Sequence, residues 1–405
     1  MTGDQAGYKK SYEEHIQISN NTKLENVMPK LTLVLSGVAI LATSICQPAH
    51  ANAQTTKPQT FYVGTCKPGK ADYTTIQEAV TGVPAGSIID VCPGNYPEQV
   101  TIQQSLTLQG VTSGNNANVV ITAPPGGVTV NAATRLPVAA QLSVLNASGS
   151  VDISNITVDG TGFTGVTSAD PVGIFYDSSS GTLNHVVSQN IQASTSGQVF
   201  GIAAFDDSSV APTISVKNSL VRLNDRSSSS PVGIEILGDL TIDLENNYIF
   251  DSGPHVGSNG IGLGLVSGGT VSGNTIDMGN HDNSIGVEIE NSTGPITTSG
   301  NLVNNSPFGI VVIDQTTALT LSNNTLSTLE AGIFTSSTSN LTIKGNQFLS
   351  SVSGIDLSCQ ATGLTLSGNV FMGGTIGIAD VPSGASLPKN LGTFIGVPTI
   401  EQLCP

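Results

Sequence analysis

Apolar and polar side chains alternate along this chain in short runs, and the clearest of them lie between about Gly300 and Asp380. Leu319-Thr320-Leu321, Leu341-Thr342-Ile343 and Leu364-Thr365-Leu366 are each bounded by Gly, Asn and Ser. Period-two alternation over so few residues predicts strands, and no window of helical length carries an apolar stripe at helical spacing. After each run comes an Asn two residues before an apolar side chain, then a Gly-Ile step. The Asn positions 301, 324, 346 and 369 are spaced by 23, 22 and 23 residues, and Gly309, Gly332, Gly354 and Gly377 keep the same intervals. A fixed period of this length predicts a solenoid.

Two or three short strands with tight turns in about 22 residues make one rung of a parallel β-helix, each rung lying about 4.8 Å from the last. An Asn at the same place in every rung can stack its amide on the next and build a hydrogen-bonded ladder. The Gly before each Ile is expected to supply a turn with positive φ. Traced toward the N-terminus, the Asn column reads 184, 218, 247, 274, 301, 324, 346 and 369, with Ile156 in that place one rung earlier. The Gly column reads 173, 201, 233, 260, 286, 309, 332, 354 and 377.

Residues 61–110 differ. Phe61-Tyr62-Val63 reads as a strand. Thr75 and Glu78 form a capping box that opens a short helix through Val80, ended by Gly82 and Pro84. Ser87 to Cys92, Val100 to Ile102 and Leu106 to Leu108 read as strands, with a turn at Pro93 to Tyr96. A helix using Ile76, Ala79 and Val80 would cap the end of the solenoid. These residues, with Gly94, Tyr96 and Glu98 as a G-x-Y-x-E element, resemble the opening rungs of pectin-methylesterase-like and pectin-lyase-like proteins. That resemblance covers about 61–380. It implies an all-β fold, a single-stranded right-handed parallel β-helix with a short N-terminal capping helix. It also implies that the G-x-Y-x-E element is a structural turn.

The Asn-to-Gly gap is 8 residues in the last four rungs and grows to 12, 13, 15 and 17 toward the N-terminus. One edge of the solenoid therefore carries progressively longer loops, and insertions confined to one face often mark a binding face. Those loops hold Arg222, Asp225 and Arg226, then Asp251 and His255, then Asp277, His281 and Asp282; the loop from Asp159 to Asp170 adjoins them. Several chemistries suit this set. Asp251 and Asp277, about one rung apart, with Asp282 and Arg226, are catalytic candidates, since roughly 5 Å separates the carboxyls of a retaining glycosidase. Asp225, His255 and His281 are binding candidates. Acidic loops can also hold Ca²⁺, and two stacked His a transition metal. The plainest reading is solvated loop tips. Glu235, Glu288 and Glu290, just after Gly-Ile or Gly-Val steps, read as surface residues.

Composition narrows the field. Of 405 residues 46 are Gly, none is Trp and 10% are charged, well under the roughly one quarter of an ordinary globular protein. The formal charge of −16 disfavours nucleic acid, and a polyuronate unless a cation bridges the two. Residues 1–27 are polar and outside the repeat, and are expected to be a non-native extension. From Met28, with Lys30, the apolar run Leu31 to Ile45 and Ala51-Asn52-Ala53, residues 28–53 read as a signal peptide. The run is too short and interrupted for a membrane span. A linker at 54–60, a β-helix over 61–383 and a C-terminal tail over 384–405 complete the division. Cys66, Cys92, Cys359 and Cys404 would remain after cleavage, an even count that suggests two disulfides in an exported protein. Of three pairings, proximity favours Cys66–Cys92 and Cys359–Cys404.

Catalytic strings of the resembling families are missing. There is no Q-D-T-L or L-G-R-P-W, and neither G-H-G nor R-I-K accompanies the acidic pair Asp206-Asp207. Only Arg135, Arg222 and Arg226 are available as the base of a lyase. Two main readings stand: an exported β-helix that binds extracellular or cell-envelope polysaccharide, and a divergent polysaccharide lyase or glycoside hydrolase working among the long loops. A third is a periplasmic β-helix of copper-enzyme maturation, whose likeness here rests on the repeats.

Overall fold

The computed structural model describes residues 57–405 except 113–117, 132–136, 164–168, 194–197, 207, 209–210, 225–229, 254–256, 350, 383–390, 398–403 and 405. Residues 1–53, expected to be an extension and a signal peptide, lie outside the described residues. Pro58–Pro405 forms one compact unit.

The strands in that unit stack as successive turns of a ribbon, and every pairing among them is parallel. Three faces recur. The first is a 12-stranded sheet running from Thr60–Val63 to Thr365–Ser367. The second holds short strands that follow the Asn column: Ile156–Asp159, Val187–Gln189, Leu220–Leu223, Tyr248–Asp251 and Thr275–Asp277. The third holds strands after the long loops: Asp170–Asp177, Phe200–Asp206, Val232–Gly238, Asn259–Gly264 and Ile285–Glu290. In the first two of the four rungs with an eight-residue gap the second and third faces fuse into single strands, Leu302–Ile313 and Thr325–Ser336, and in the last two they stay separate strands.

Register alone builds the core. On the third face Ile174, Ile202, Ile234, Ile261, Val287, Ile310, Ile333 and Ile355 lie in one inward column, each at most 1% exposed. On the second face Phe348, Phe371 and Phe394 stack with centroids 4.8 and 4.6 Å apart, because successive rungs bring identical side chains to one rung spacing.

The ladder is present and buried. Asn247, Asn274, Asn301, Asn324, Asn346 and Asn369 are each at most 1% exposed. Each Oδ1 from Asn274 onward accepts from both the backbone N and the Nδ2 of the preceding Asn, at 2.9–3.1 Å. Each Nδ2 also donates to a carbonyl of the preceding rung, as Asn301 does to Val271 at 2.9 Å. Two positions of the expected column are displaced. Asn184 and Asn218 lie outside the ladder, and its place in those rungs is taken by Val186 and Ser219.

The residue just before the ladder carries the positive φ. It is Asn155, His185, Asn218, Asn246, Gly273, Gly300, Asn323, Gly345 or Gly368, with φ between 49 and 65°, a conformation Gly adopts freely and Asn, Asp and His more readily than other residues. The Gly before each Ile therefore does not serve the turn expected of it, and its φ is ordinary. A Cβ there would lie 2.4–2.8 Å from the carbonyl oxygen of the Gly one rung on, so that column is glycine for close approach of stacked backbones.

At the N-terminal end the helix spans Ile76–Gly82, with Thr75 Oγ1 accepting from Glu78 N at 3.1 Å. Ile76, Ala79 and Val80 are buried against the first rungs. Glu98 of the G-x-Y-x-E element accepts from Ile76 N and Gln77 N at 2.9 and 2.8 Å, so this carboxylate caps the helix. Gly94–Pro97, expected as a turn, is a strand paired with Val119–Thr122. Cys66–Cys92 and Cys359–Cys404 are disulfides, one near each end. Gly392–Ile395 adds a strand beyond the expected solenoid boundary, paired with Asn369–Met372.

Asn324→Ala would strip Asn301 N, Asn301 Nδ2 and Thr298 O of their partner at once. A loss of about 2–5 kcal/mol is expected, since each buried group left unpaired costs about 1–3 kcal/mol. Asn323→Gly, which keeps the left-handed turn, is expected to change stability by less than about 1 kcal/mol. Denaturant unfolding of the two variants checks both.

Candidate functional site

The edge with the long loops carries chemistry on three surfaces, and strand parity sorts the residues among them. Counted from the ladder, Asp251 stands four residues after Asn247, whereas Asp277 stands three after Asn274. Side chains alternate across a strand, so the two acids face opposite ways. Register agrees: Asp277 pairs with Phe250, and Asp251 with Leu223. The expected stacking of Asp251 on Asp277 therefore does not occur.

Asp251 points inward and is 0% exposed. Its Oδ2 accepts from Ser258 Oγ at 2.6 Å and its Oδ1 from Gly253 N at 3.0 Å. His281 Nε2 lies 3.8 Å from that Oδ1. Ser258 Oγ and Ser284 Oγ share a hydrogen bond at 2.9 Å. Beyond it, Ser306 Oγ donates to Ser284 O at 2.9 Å. This is a polar seam under the loops, and it ties Asp251 and His281 into the interior.

Asp277 faces solvent on the second face. Its Oδ1 accepts from Asn305 Nδ2 at 2.9 Å and Gly279 N at 3.2 Å. The residues three after the ladder position form one outward row, in which Asp159, Gln189, Arg222, Phe250, Asp277 and Asn304 are followed by Ser327, Leu349 and Met372. In this row Gln189 Nε2 donates to Asp159 Oδ2 at 2.9 Å. Burial pushes the Asp159 carboxyl up, but hydrogen bonds from Thr161, Asn190 and Gln189 outweigh it and hold the group below its ordinary value. Arg222 is exposed at the middle of the row. Asp282 is exposed in the loop that follows. Asp225, Arg226, His255 and Arg135 lie outside the described residues.

The third face corrects the reading of the glutamates. Glu235, Gly262 and Glu288 form one outward column on successive rungs. Glu235 is not a surface residue, being only 6% exposed. Its carboxylate leans over Gly262, where a Cβ would meet Oε2 at 2.1 Å. Glu288 Oε2 accepts from Asn259 Nδ2 at 2.5 Å. The signal was in the sequence as an acid two residues after the Gly column, but its burial was not, because it depends on what lies over the sheet. Asp206 is likewise buried at 6%, with Ser208 N donating to Oδ1 at 3.2 Å.

A model of the family described as periplasmic copper-binding protein (NosD) matches residues 203–390. The chain is a right-handed parallel β-helix with the pectin-lyase-like fold. Solved structures similar to it include the A-module of a mannuronan C-5 epimerase from Azotobacter vinelandii, at 14% identity and a TM-score of 0.43 over 79% of this chain and 88% of that one. Another is the catalytic unit of an α-1,3-glucanase from Streptomyces thermodiastaticus, at 15% identity and 0.41 over 81% and 64%. A third is a pectin methylesterase from Erwinia chrysanthemi, at 11% and 0.30 over 62% and 80%. No curated protein matches the chain.

Among the described residues copper finds no fitting donor set. Among the described residues only Cys359, Asp380 and Cys404 converge as three metal-ligand types, and both sulfurs are bound in the disulfide. Met278 is buried in the core, and His281 Nε2 lies beside the buried Asp251 carboxylate. No helix among the described residues is long and apolar enough to cross a membrane.

The opposed settings of the two aspartates give opposite mutational outcomes. Asp251→Ala is expected to lower stability by about 2–4 kcal/mol, because it leaves Ser258 and Gly253 N without their acceptor. Asp277→Ala stays within about 1 kcal/mol. Denaturant midpoints decide between them.

Glu330 gives a pH test. Burial raises its carboxyl above the ordinary value, and the charge of Asp282 pushes the same way. The folded state thus binds this proton more tightly than the unfolded chain, and stability is lost as pH rises through the raised value. Glu330→Gln is expected to raise the unfolding temperature at neutral pH, with the gain vanishing below about pH 4. Thermal melts across that range measure it.

Proposed function

We propose that the protein is an exported β-helix that binds extracellular or cell-envelope polysaccharide along the long-loop edge, without turning it over. The outward row of Asp159, Gln189, Arg222, Phe250, Asp277 and Asn304 carries this reading. It offers donors, acceptors and a ring at one residue per rung, the arrangement a linear polymer along the axis would meet. Neither Asp251, committed inside, nor Asp277, alone outside, supports a carboxylate pair for glycoside cleavage. Export is supported by the signal-like segment 28–53, by two disulfides and by the match to a periplasmic family.

A second reading has one observation in its favour. Glu235, buried on an outer face in line with Glu288, is where a divergent lyase or hydrolase would keep a shielded acid. One experiment separates the two. Affinity electrophoresis on a polysaccharide panel is expected to retard the protein, while reducing-sugar and unsaturated-product assays on the same panel stay at background. Product formation that Glu235→Gln abolishes would replace binding with catalysis.

A further inference from the structure

We infer that Tyr248, Phe250 and Arg222 form a stacking subsite for a neutral glycan on the outer second face. This inference rests on the polysaccharide-binding reading above and adds the site and the class of sugar. Tyr248 and Phe250 are two apart on one strand and so share its outer side. Their rings are nearly parallel, 6° between planes, with centroids 6.4 Å apart. Tyr248 is 43% exposed, in a chain with only seven Tyr, eleven Phe and no Trp. Phe250 is half-buried beside it, and an exposed ring with a polar tip, as Tyr248 is, suits ligands that are apolar on one side and wet on the other.

The neighbours supply the wet side. Arg222 pairs with Phe250 from the rung before, and Asp277 from the rung after, so the ring is flanked by a cation and an anion about 4.8 Å away along the axis. Arg222 has no ion-pair partner among the described residues, which leaves its fork of donors for a ligand. Asp277 uses Oδ1 for Asn305 and Gly279, and its Oδ2 makes no hydrogen bond among the described residues. Donors on one side of a ring and an acceptor on the other match the vicinal hydroxyls of a sugar whose C–H face lies on the aromatic. The class of sugar follows from charge. With a formal charge of −16 on the protein and Asp277 within the subsite, a polyuronate is repelled where a neutral chain is not.

The test is affinity electrophoresis of the full chain in gels carrying pullulan, laminarin or galactomannan, against gels carrying alginate or polygalacturonate. The expected result is retardation by at least one neutral polymer, weakened roughly 10-fold or more by Tyr248→Ala and by Arg222→Ala. Leu329→Ala, an exposed apolar change on another rung, should bind like the parent, and all variants should share its unfolding temperature. Retardation that survives both substitutions would overturn the subsite and leave polysaccharide binding standing. Retardation by the acidic polymers alone would overturn the neutral class. No retardation by any polymer would remove the broader reading and this site with it.

Discussion

One constraint governs this molecule: each rung satisfies its buried backbone groups, and most of its buried amides, through the rung on either side. The Asn ladder makes the constraint concrete. Six amides at most 1% exposed have their Oδ1 and Nδ2 aimed along the axis, and a slip of one residue in any rung would leave several of them unpaired. The close-packed Gly column adds a steric version of the same rule, since its backbones approach too closely for any side chain. Together they fix the register, and the register then builds the Ile column and the Phe stack at no further cost in specificity.

A fixed register also dictates where chemistry can stand. Strand parity decides whether a side chain joins the core or the surface, so a single residue of offset separates a buried acid from a solvent-facing one. Asp251 is the first kind and Asp277 the second, although both follow an Asn of the ladder by nearly the same distance. The lengthening loops act at the junction of the second and third faces. Polar groups that would otherwise be stranded beneath them are collected into the seam of Ser258, Ser284 and Ser306. The aromatic pair and Arg222 lie outside that seam, on a surface whose geometry is set by the rungs rather than by the loops.

The two ends show how the solenoid is terminated. Glu98 holds the first helix by its backbone amides, and the helix in turn buries the first rung. A disulfide stands near each end, where stacking partners run out on one side. Gly392–Ile395 extends the second face by one strand and lets Phe394 cover Phe371.

The 22-to-23-residue period, the strand alternation, the ladder of Asn247 onward and the favoured cysteine pairing were all legible in the sequence, because each is a local or periodic signal that stacking merely repeats. The parity that parts Asp251 from Asp277 was legible too, but only by counting from the ladder. The role of the Gly column was not, since positive φ and close backbone approach select the same residue and only the spacing of neighbouring rungs tells them apart. Nor was the burial of Glu235, or the exclusion of Asn184 and Asn218 from the ladder. Those depend on what lies across an axis about 4.8 Å away rather than along the chain, and contacts of that kind exist only once the ribbon has coiled.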